Sequence, residues 1–412
     1  MSNTLLTISK ITNEALMVLE NELTFSQGVD RNYDDQFAVV GAKIGNTLNV
    51  RKPGRFIGTT GPALNVEDFN ETSVPVTLST QFHVDTQFTT QDLALSLDMF
   101  SDRVLKPAIA AIANKIDFDG TTMAANNTAN IVGTPGTPST DFGTYLTAQA
   151  YLDAEGAPRD GRRSCVLEPF TSATIVNSLK TLFVPSEVIG SQYKKGMMGR
   201  DTGGMDWKMD QNIAAHTFGS FAGTATTSTT AATGYLTSGW ASSSNISITS
   251  TGAVSLKQGD VITIDGVYAV NPQNRQAYGS NKLRNFVVNA AASGTGATFT
   301  VNVSPAVISA GQFQNVSIPS TSTTATVNFY NKTGTVSPQN IIMHRNAFTL
   351  ATADLELPEG VHFAGRASDK DVGLSIRVVR QYTINNDSIP TRLDVLYGWA
   401  PLYPELACRV AS

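Results

Sequence analysis

Hydrophobic positions along the chain change their period from stretch to stretch. Between Gln91 and Asp117 they recur at helical spacing. Leu93, Leu97, Phe100 and Val104 fall at i, i+4, i+7 and i+11, and Leu105, Ile109, Ile112 and Ile116 repeat that spacing one position on. Thr89 and Thr90 precede this stripe as candidate caps, and Asp92 and Asp98 place negative charge where it suits the helix dipole. Pro107 predicts two segments or a bend. At 1.5 Å per residue such a helix spans roughly 40 Å. It needs a wide surface to lie against.

The rest of the chain divides around that stretch. In residues 1–47, Ile8, Ile11, Ala15, Leu16 and Leu19 share a helical face, and the pattern lapses into an extended link around Phe25. One short helix is marginal alone, so this segment reads as an arm. Residues 48–90 read as a long β-hairpin with Gly58, Gly61 and Pro62 in its loop. Arg51, Lys52 and Arg55 crowd its outgoing side, and Glu67, Asp68 and Glu71 crowd the other. A hairpin with so little core must lie on something else. The separated charges make these six residues a candidate interface to another copy of the chain. The plainer alternative is a solvated hairpin with scattered charge.

After the long helix, residues 121–138 look turn-rich. A helix over 145–156 stopped by Gly156 and Pro158, a strand from Arg163 and a helix over 171–183 come next, as in a compact α/β domain. Residues 190–204 form a glycine-rich loop. The runs 211–256 and 285–331 contain no charged residue, and the first looks partly linker-like. Between and within them lie strand patterns at 260–270, with an Asp265-Gly266 turn, and at 297–303. Residues 222–336 therefore read as a small β-barrel-like domain inserted into the α/β domain, whose pattern resumes at Ile341. Their β-branched and aromatic content weighs against a disordered spacer. The clearest strands come last: 374–382 and 391–399 alternate about an Asn385-Asn386-Asp387 turn. That hairpin is wide enough for the long helix to cover.

Composition narrows the function classes. Of 412 residues only 15% are charged, against ~25% in ordinary globular proteins. Surface buried in an obligate assembly has this character, and so do secreted β-rich adhesins. The net charge of −5 argues against gripping nucleic acid through the whole surface, though not against enclosing it. Cys165 and Cys408 lie far apart in strand-like runs, as buried free thiols would. The first residues lack the pattern of a signal peptide, and no apolar run approaches the length of a membrane span, so synthesis in a reducing cytoplasm and no membrane contact are expected.

Chemistry-bearing patterns are sparse. His83, His216, His344 and His362 are scattered, without zinc-ligand spacing. Asp117-Phe118-Asp119-Gly120 is a fragment of a calcium loop that reads instead as a helix C-terminus with solvated carboxylates. Gly196 to Gly204 lacks phosphate-loop spacing, and no Gly-x-Ser-x-Gly elbow occurs. Neither catalysis nor a cofactor or metal is expected.

The order of arm, charged hairpin, long helix, α/β domain with β-insertion and final antiparallel sheet resembles the major capsid protein of tailed bacteriophages, the Hong Kong phage capsid fold. Local phrases similar to the short-tailed-phage coat proteins that carry an inserted domain occur at 102–108 (Asp-Arg-Val-Leu-Lys-Pro-Ala), 259–267 (Gly-Asp-Val-Ile-Thr-Ile-Asp-Gly-Val) and 387–399 (Asp-Ser-Ile-Pro-Thr-Arg-Leu-Asp-Val-Leu-Tyr-Gly-Trp). The resemblance implies an α+β fold: N-terminal arm 1–47, extended loop 48–90, spine helix 91–127, axial domain 128–221 with 337–355, inserted β-domain 222–336 and peripheral sheet 356–412. It implies a major capsid protein of an icosahedral shell, assembled in the host bacterial cytoplasm and placed in the virion. Its partners would be copies of itself in hexamers and pentamers, scaffolding and portal proteins, and enclosed double-stranded DNA bound without sequence specificity. The rival reading is a secreted or tail-associated adhesin or decoration protein, which would stay a small oligomer.

Overall fold

A computed structural model of the chain describes residue 19 and residues 23–31, 45–89, 106–178, 202–227, 239–318, 324–369 and 374–412. The expected arm helix except Leu19, the long-helix residues 91–105 and nearly all of the glycine-rich loop lie outside the described residues. Contacts divide the chain into two compact units. One comprises Met1–Val50, Val74–Gly120 and Phe348–Ala400; the other Arg51–Ser73, Thr121–Ala347 and Pro401–Ser412.

The first unit is a helix on a sheet. Helix α1 is described over Lys106–Asn127, with Pro107 as its second described residue. Ile109, Ile112 and Ile116 are fully buried, as the stripe predicts. Burying each such side chain contributes about 1.5–3 kcal/mol. The sheet joins Phe348–Ala353, Ser388–Pro401, Leu374–Arg380 and Phe363–Asp369 in that order, with Thr80–Thr89 also paired to Ser388–Pro401. The final hairpin turns through Asp387 in the left-handed conformation (φ 45°), which Asp tolerates better than most residues. Trp399 fixes the helix to the sheet: its indole donates to the Ile116 carbonyl at 3.1 Å. Gly120 makes that approach feasible, because a Cβ there would meet the Trp399 ring at 2.5 Å.

Three expectations change here. Residues 121–127 are not turn-rich: they continue helix α1 to Asn127, because Thr121, Ala124 and Ala125 extend the buried stripe. The hairpin 48–90 returns along two strands, not one. Thr72–Thr77 pairs with Thr47–Lys52, while Thr80–Thr89 leaves to pair with the long C-terminal strand, Thr80 opposite Tyr397 through Thr89 opposite Ser388. Its alternating burial suits a sheet edge with one covered face. The link around 25–31 is not a free extended segment either: Phe25 and Ser26 are fully buried and Ser26–Gly28 forms a 3-10 turn.

The second unit holds two β systems. A six-stranded sheet runs Ile131–Gly133, Ala407–Ala411, Val336–His344, Arg163–Leu167 and Asp206–Met209, with Ala215–Thr217 also on Val336–His344. Helices α2, Phe142–Ala154, and α3, Pro169–Ser178, cover one face: Tyr145, Leu152, Ile175, Cys165, Ile342 and Cys408 share a core. Both cysteines are buried free thiols, and burial pushes both pKa values up. Gly156 at φ 79° ends the turn after α2, as expected. The last strand does not join the peripheral sheet expected over 356–412. All five of its residues are buried, so it needs neighbours and cover that an edge position does not supply.

The second system is a seven-stranded sheet, Val316–Ser317, Val261–Ala269, Leu283–Val288, Thr298–Ser304, Ser244–Ser250 and Ala225–Thr227, with Val327–Phe329 on Val261–Ala269. A three-stranded sheet of Ala292–Thr295, Ala253–Leu256 and Ser220–Phe221 shares its core, which Ile246, Ile262, Phe286, Val301 and Val254 fill. The expected Asp265-Gly266 turn is instead a register shift inside one continuous strand, between Thr263 and Tyr268, with Gly266 at φ 80°. The linker-like first uncharged run supplies strands where it is described, because every second residue of Ser244–Ser250 is buried; residues 228–238 lie outside the described residues.

Candidate interaction surface

The six charged hairpin residues do not stand as two segregated patches. Arg51 and Glu71 pair with each other at 3.4 Å in the open, an arrangement that contributes only ~0–1 kcal/mol. Lys52 folds back over the Tyr403 ring, its ammonium 4.4 Å from the centroid. Burial lowers the Lys52 pKa, with Glu405 pulling the other way and Arg55 adding to the lowering. Glu67 is spent on the loop itself, accepting from the Ile57 backbone N–H at 2.6 Å. The Asp68 side chain is exposed, and its backbone carbonyl accepts from Gln312 at 2.7 Å.

The loop's apolar residues face outward. Phe56 is 60% exposed, Leu64 91%, Val66 79% and Phe69 59%. Phe56 and Phe69 stack at 5.9 Å between centroids, so the aromatic pair closes the loop while its tip stays bare. Large apolar groups gathered on one exposed loop form the kind of patch that marks interaction surfaces. The charges stand out in the sequence; these residues do not, because the strand pattern does not single them out.

Asp117 departs from the solvated carboxylate that the sequence suggests. It is 1% exposed and lies on the buried stripe of α1 with Ile109, Ile112, Ala113 and Ile116. Its carboxylate accepts from the backbone N–H groups of Thr24 (2.7 Å), Phe25 (3.2 Å) and Ser26 (3.1 Å). It also accepts the Ser26 hydroxyl. Burial raises its pKa, opposed by the Ser26 hydroxyl and the three N–H donors. The arm segment 24–26 is thus wrapped around one helix carboxylate, and Phe25 packs on Trp399 at 5.6 Å. The sequence does carry a signal for this: a carboxylate on an apolar stripe demands donors. Asp119 is also engaged, with Lys115 at 2.5 Å and the Tyr397 hydroxyl at 2.7 Å.

Three of the four histidines each meet one carboxylate: His216 meets Asp260 at 2.8 Å, His344 meets Asp160 at 3.1 Å and His83 meets Asp85 at 2.9 Å. Asp260 also accepts the backbone N–H groups of Gly219 and Lys257, the pattern of a turn anchor. Among the described residues no group of three or more His, Cys, Asp or Glu side chains is placed to hold a metal ion. None of the described helices is long and apolar enough to cross a membrane.

Comparison with known proteins gives one sequence match. A family model described as "P22 coat protein - gene protein 5" matches residues 2–409. No curated protein sequence matches. Among solved structures, the chain is similar to one from Mycobacterium phage Che8, with TM-score 0.46, 11% identity and coverage of 94% of this chain and 90% of that one. It is also similar to one described as the capsid structure of the cyanophage P-SCSP1u, with TM-score 0.45, 10% identity and coverage of 89% and 83%. Likenesses this distant say nothing of function; the family match does.

Proposed function

The chain belongs to the P22 coat protein family, and on that premise we propose how its parts divide the work of building a shell. It is a major capsid protein, one of many copies that form a phage capsid. The rival adhesin or decoration-protein reading does not survive a coat-protein match over residues 2–409. In our reading the shell is icosahedral and encloses double-stranded DNA without sequence-specific contacts, in keeping with a net charge of −5. Assembly takes place in the host bacterial cytoplasm from hexamers and pentamers, with scaffolding and portal proteins as partners. The chain performs no catalysis. The fold is of the Hong Kong phage type: 1–47 arm, 48–90 extended loop, 91–127 spine helix, and a small β-barrel inserted over 222–336.

The observation that carries this division is the loop 53–71. It holds Leu64 and Val66 in solvent while its backbone is fastened below. A second copy of the chain is the surface that covers it, with Arg51, Lys52, Arg55, Glu67, Asp68 and Glu71 around the rim. Many weak contacts of this kind let a shell correct errors before it closes.

Purified protein viewed by electron microscopy should form closed shells. The triple variant Arg51→Glu, Arg55→Glu, Leu64→Asp should remain a folded monomer, with shell yield down by about tenfold or more, since ~1.4 kcal/mol per contact already changes an equilibrium tenfold. Single charge reversals should be mild. Lys52 is left intact, because a carboxylate placed over Tyr403 would disturb the fold itself. Shells at normal yield from the triple variant would refute the assignment of this loop.

The inserted-domain reading has its own test. The second β system has a core of its own, so a fragment of residues 222–336 should give a β-type circular dichroism spectrum and a cooperative melt. Slowest amide exchange is expected in Val261–Ala269 and Thr298–Ser304. A random-coil spectrum would show that this segment depends on its host.

A further inference from the structure

Among the described residues three that are not glycine have positive φ: Asn281 (47°), Asp387 (45°) and Arg275 (61°). Asn and Asp enter the left-handed region readily; arginine does so only where the surroundings hold it there. Arg275 sits on a tight turn. Its N–H donates to the Asn271 carbonyl at 2.8 Å, and the Asn271 N–H donates to the Gln276 carbonyl at 3.0 Å. The Asn271 side chain accepts from the Gln273 N–H at 2.8 Å. A glycine would make this turn without strain, so the arginine is there for its side chain.

That side chain reaches the extended loop. Arg275 Nη2 donates to the Phe56 carbonyl at 2.8 Å and to the Gln312 carbonyl at 3.4 Å. Gln312 in turn donates from Nε2 to the Asp68 carbonyl at 2.7 Å, and Asn70 donates to Gln312 Oε1 at 3.5 Å. Phe56 lies on the outgoing limb of the loop and Asp68 on the returning limb. One guanidinium and one amide therefore hold both limbs through backbone oxygens, alongside the Glu67 contact to the Ile57 N–H. Above this staple the Phe56–Phe69 stack closes, and Leu64 and Val66 remain bare.

We propose that Arg275 is a positioning residue for assembly: with Gln312 it presents loop 53–71 in the one conformation that a second copy of the chain accepts. The inference rests on the reading that this loop meets a second copy. It adds that segments 271–277 and 311–313 set the geometry of that contact without taking part in it. Preorganising a loop removes from association the cost of ordering it, so the effect falls on assembly and leaves the fold alone.

The test uses the full chain as unassembled monomer. Arg275→Gly removes the guanidinium and relieves the backbone at the same position, so the melting temperature should hold or rise. Amide exchange at 55–58 and 67–70 should speed up by about an order of magnitude, because it reports local opening. Shell assembly at fixed protein concentration should slow by a similar factor. Gln312→Ala should act in the same direction at 67–70, and Arg275→Lys should fall between Arg275→Gly and the unaltered chain.

Unchanged exchange across the loop in Arg275→Gly would overturn the proposal, and so would faster exchange with assembly at the normal rate. The underlying reading fails separately, if a Leu64→Asp, Val66→Asp variant also assembles normally.

Discussion

Asp117→Ala is expected to release the arm and cost the first unit a large share of its stability. Three backbone N–H groups and one hydroxyl converge on this carboxylate. Each buried donor left without an acceptor costs about 1–3 kcal/mol. Even with water reaching some of them, the sum is several kcal/mol, against a domain stability of about 5–15 kcal/mol. The melting temperature should fall by roughly 10 °C or more, at ~2–4 °C per kcal/mol for a unit of this size. Limited proteolysis should cut within 23–31, a segment that holds Leu23, Phe25, Ser26 and Val29 buried in the unaltered chain. Asp117→Asn tests the charge apart from the volume: an amide oxygen accepts part of the donor set while its NH2 faces the rest, so an intermediate loss is expected. Resistance of 23–31 to protease in Asp117→Ala would sink the anchor.

The pH dependence has a definite sign. Burial raises the Asp117 pKa, so the folded chain binds that proton more tightly than the unfolded chain does. This group's contribution therefore favours the fold at low pH and fades as pH rises from the ordinary carboxylate range through the raised folded value. Asp117→Asn, which does not titrate, should remove that slope.

Much of the architecture can be read from periodicity, because periodicity reports one-sided burial. The stripe Ile109, Ile112, Ile116 faces a core from one side, and the strands read at 374–382 and 391–399 form as Leu374–Arg380 and Ser388–Pro401. Ala407–Ala411 is buried throughout; an all-buried strand has no alternation, so its sheet cannot be assigned from the sequence. The Asp265-Gly266 pair reads as a turn because a bulge and a tight turn ask for the same left-handed glycine. The candidate surface is legible in charge but not in geometry. Arg51 finds Glu71 within the chain, and the staple of Arg275 to Phe56 joins residues more than two hundred positions apart. No local pattern encodes such a contact.

Ile112→Asp should prevent accumulation of folded chain altogether. Ile112 is fully buried, between Ile109 and Ile116 on the face of α1 that also carries the Trp399 contact. Aspartate there loses the transfer free energy of the isoleucine side chain, about 1.5–3 kcal/mol. It also places a carboxyl among apolar groups, at several kcal/mol more whether it stays charged or takes up a proton. The contrast with Asp117, five positions on, is in the donors: there the arm delivers four, while the Ile112 side chain lies in the apolar stripe. The combined cost is on the order of the whole stability of a domain. Expressed alone, the variant should appear in the insoluble fraction or bound to chaperones, and shells should be absent because folded subunits are absent. Ile112→Val removes one methylene from the same site and should cost only ~0.5–1.5 kcal/mol, assembling normally with a slightly lower melt. Soluble Ile112→Asp with the circular dichroism of the unaltered chain would show that this face of α1 is not core, and the sheet would then need another cover.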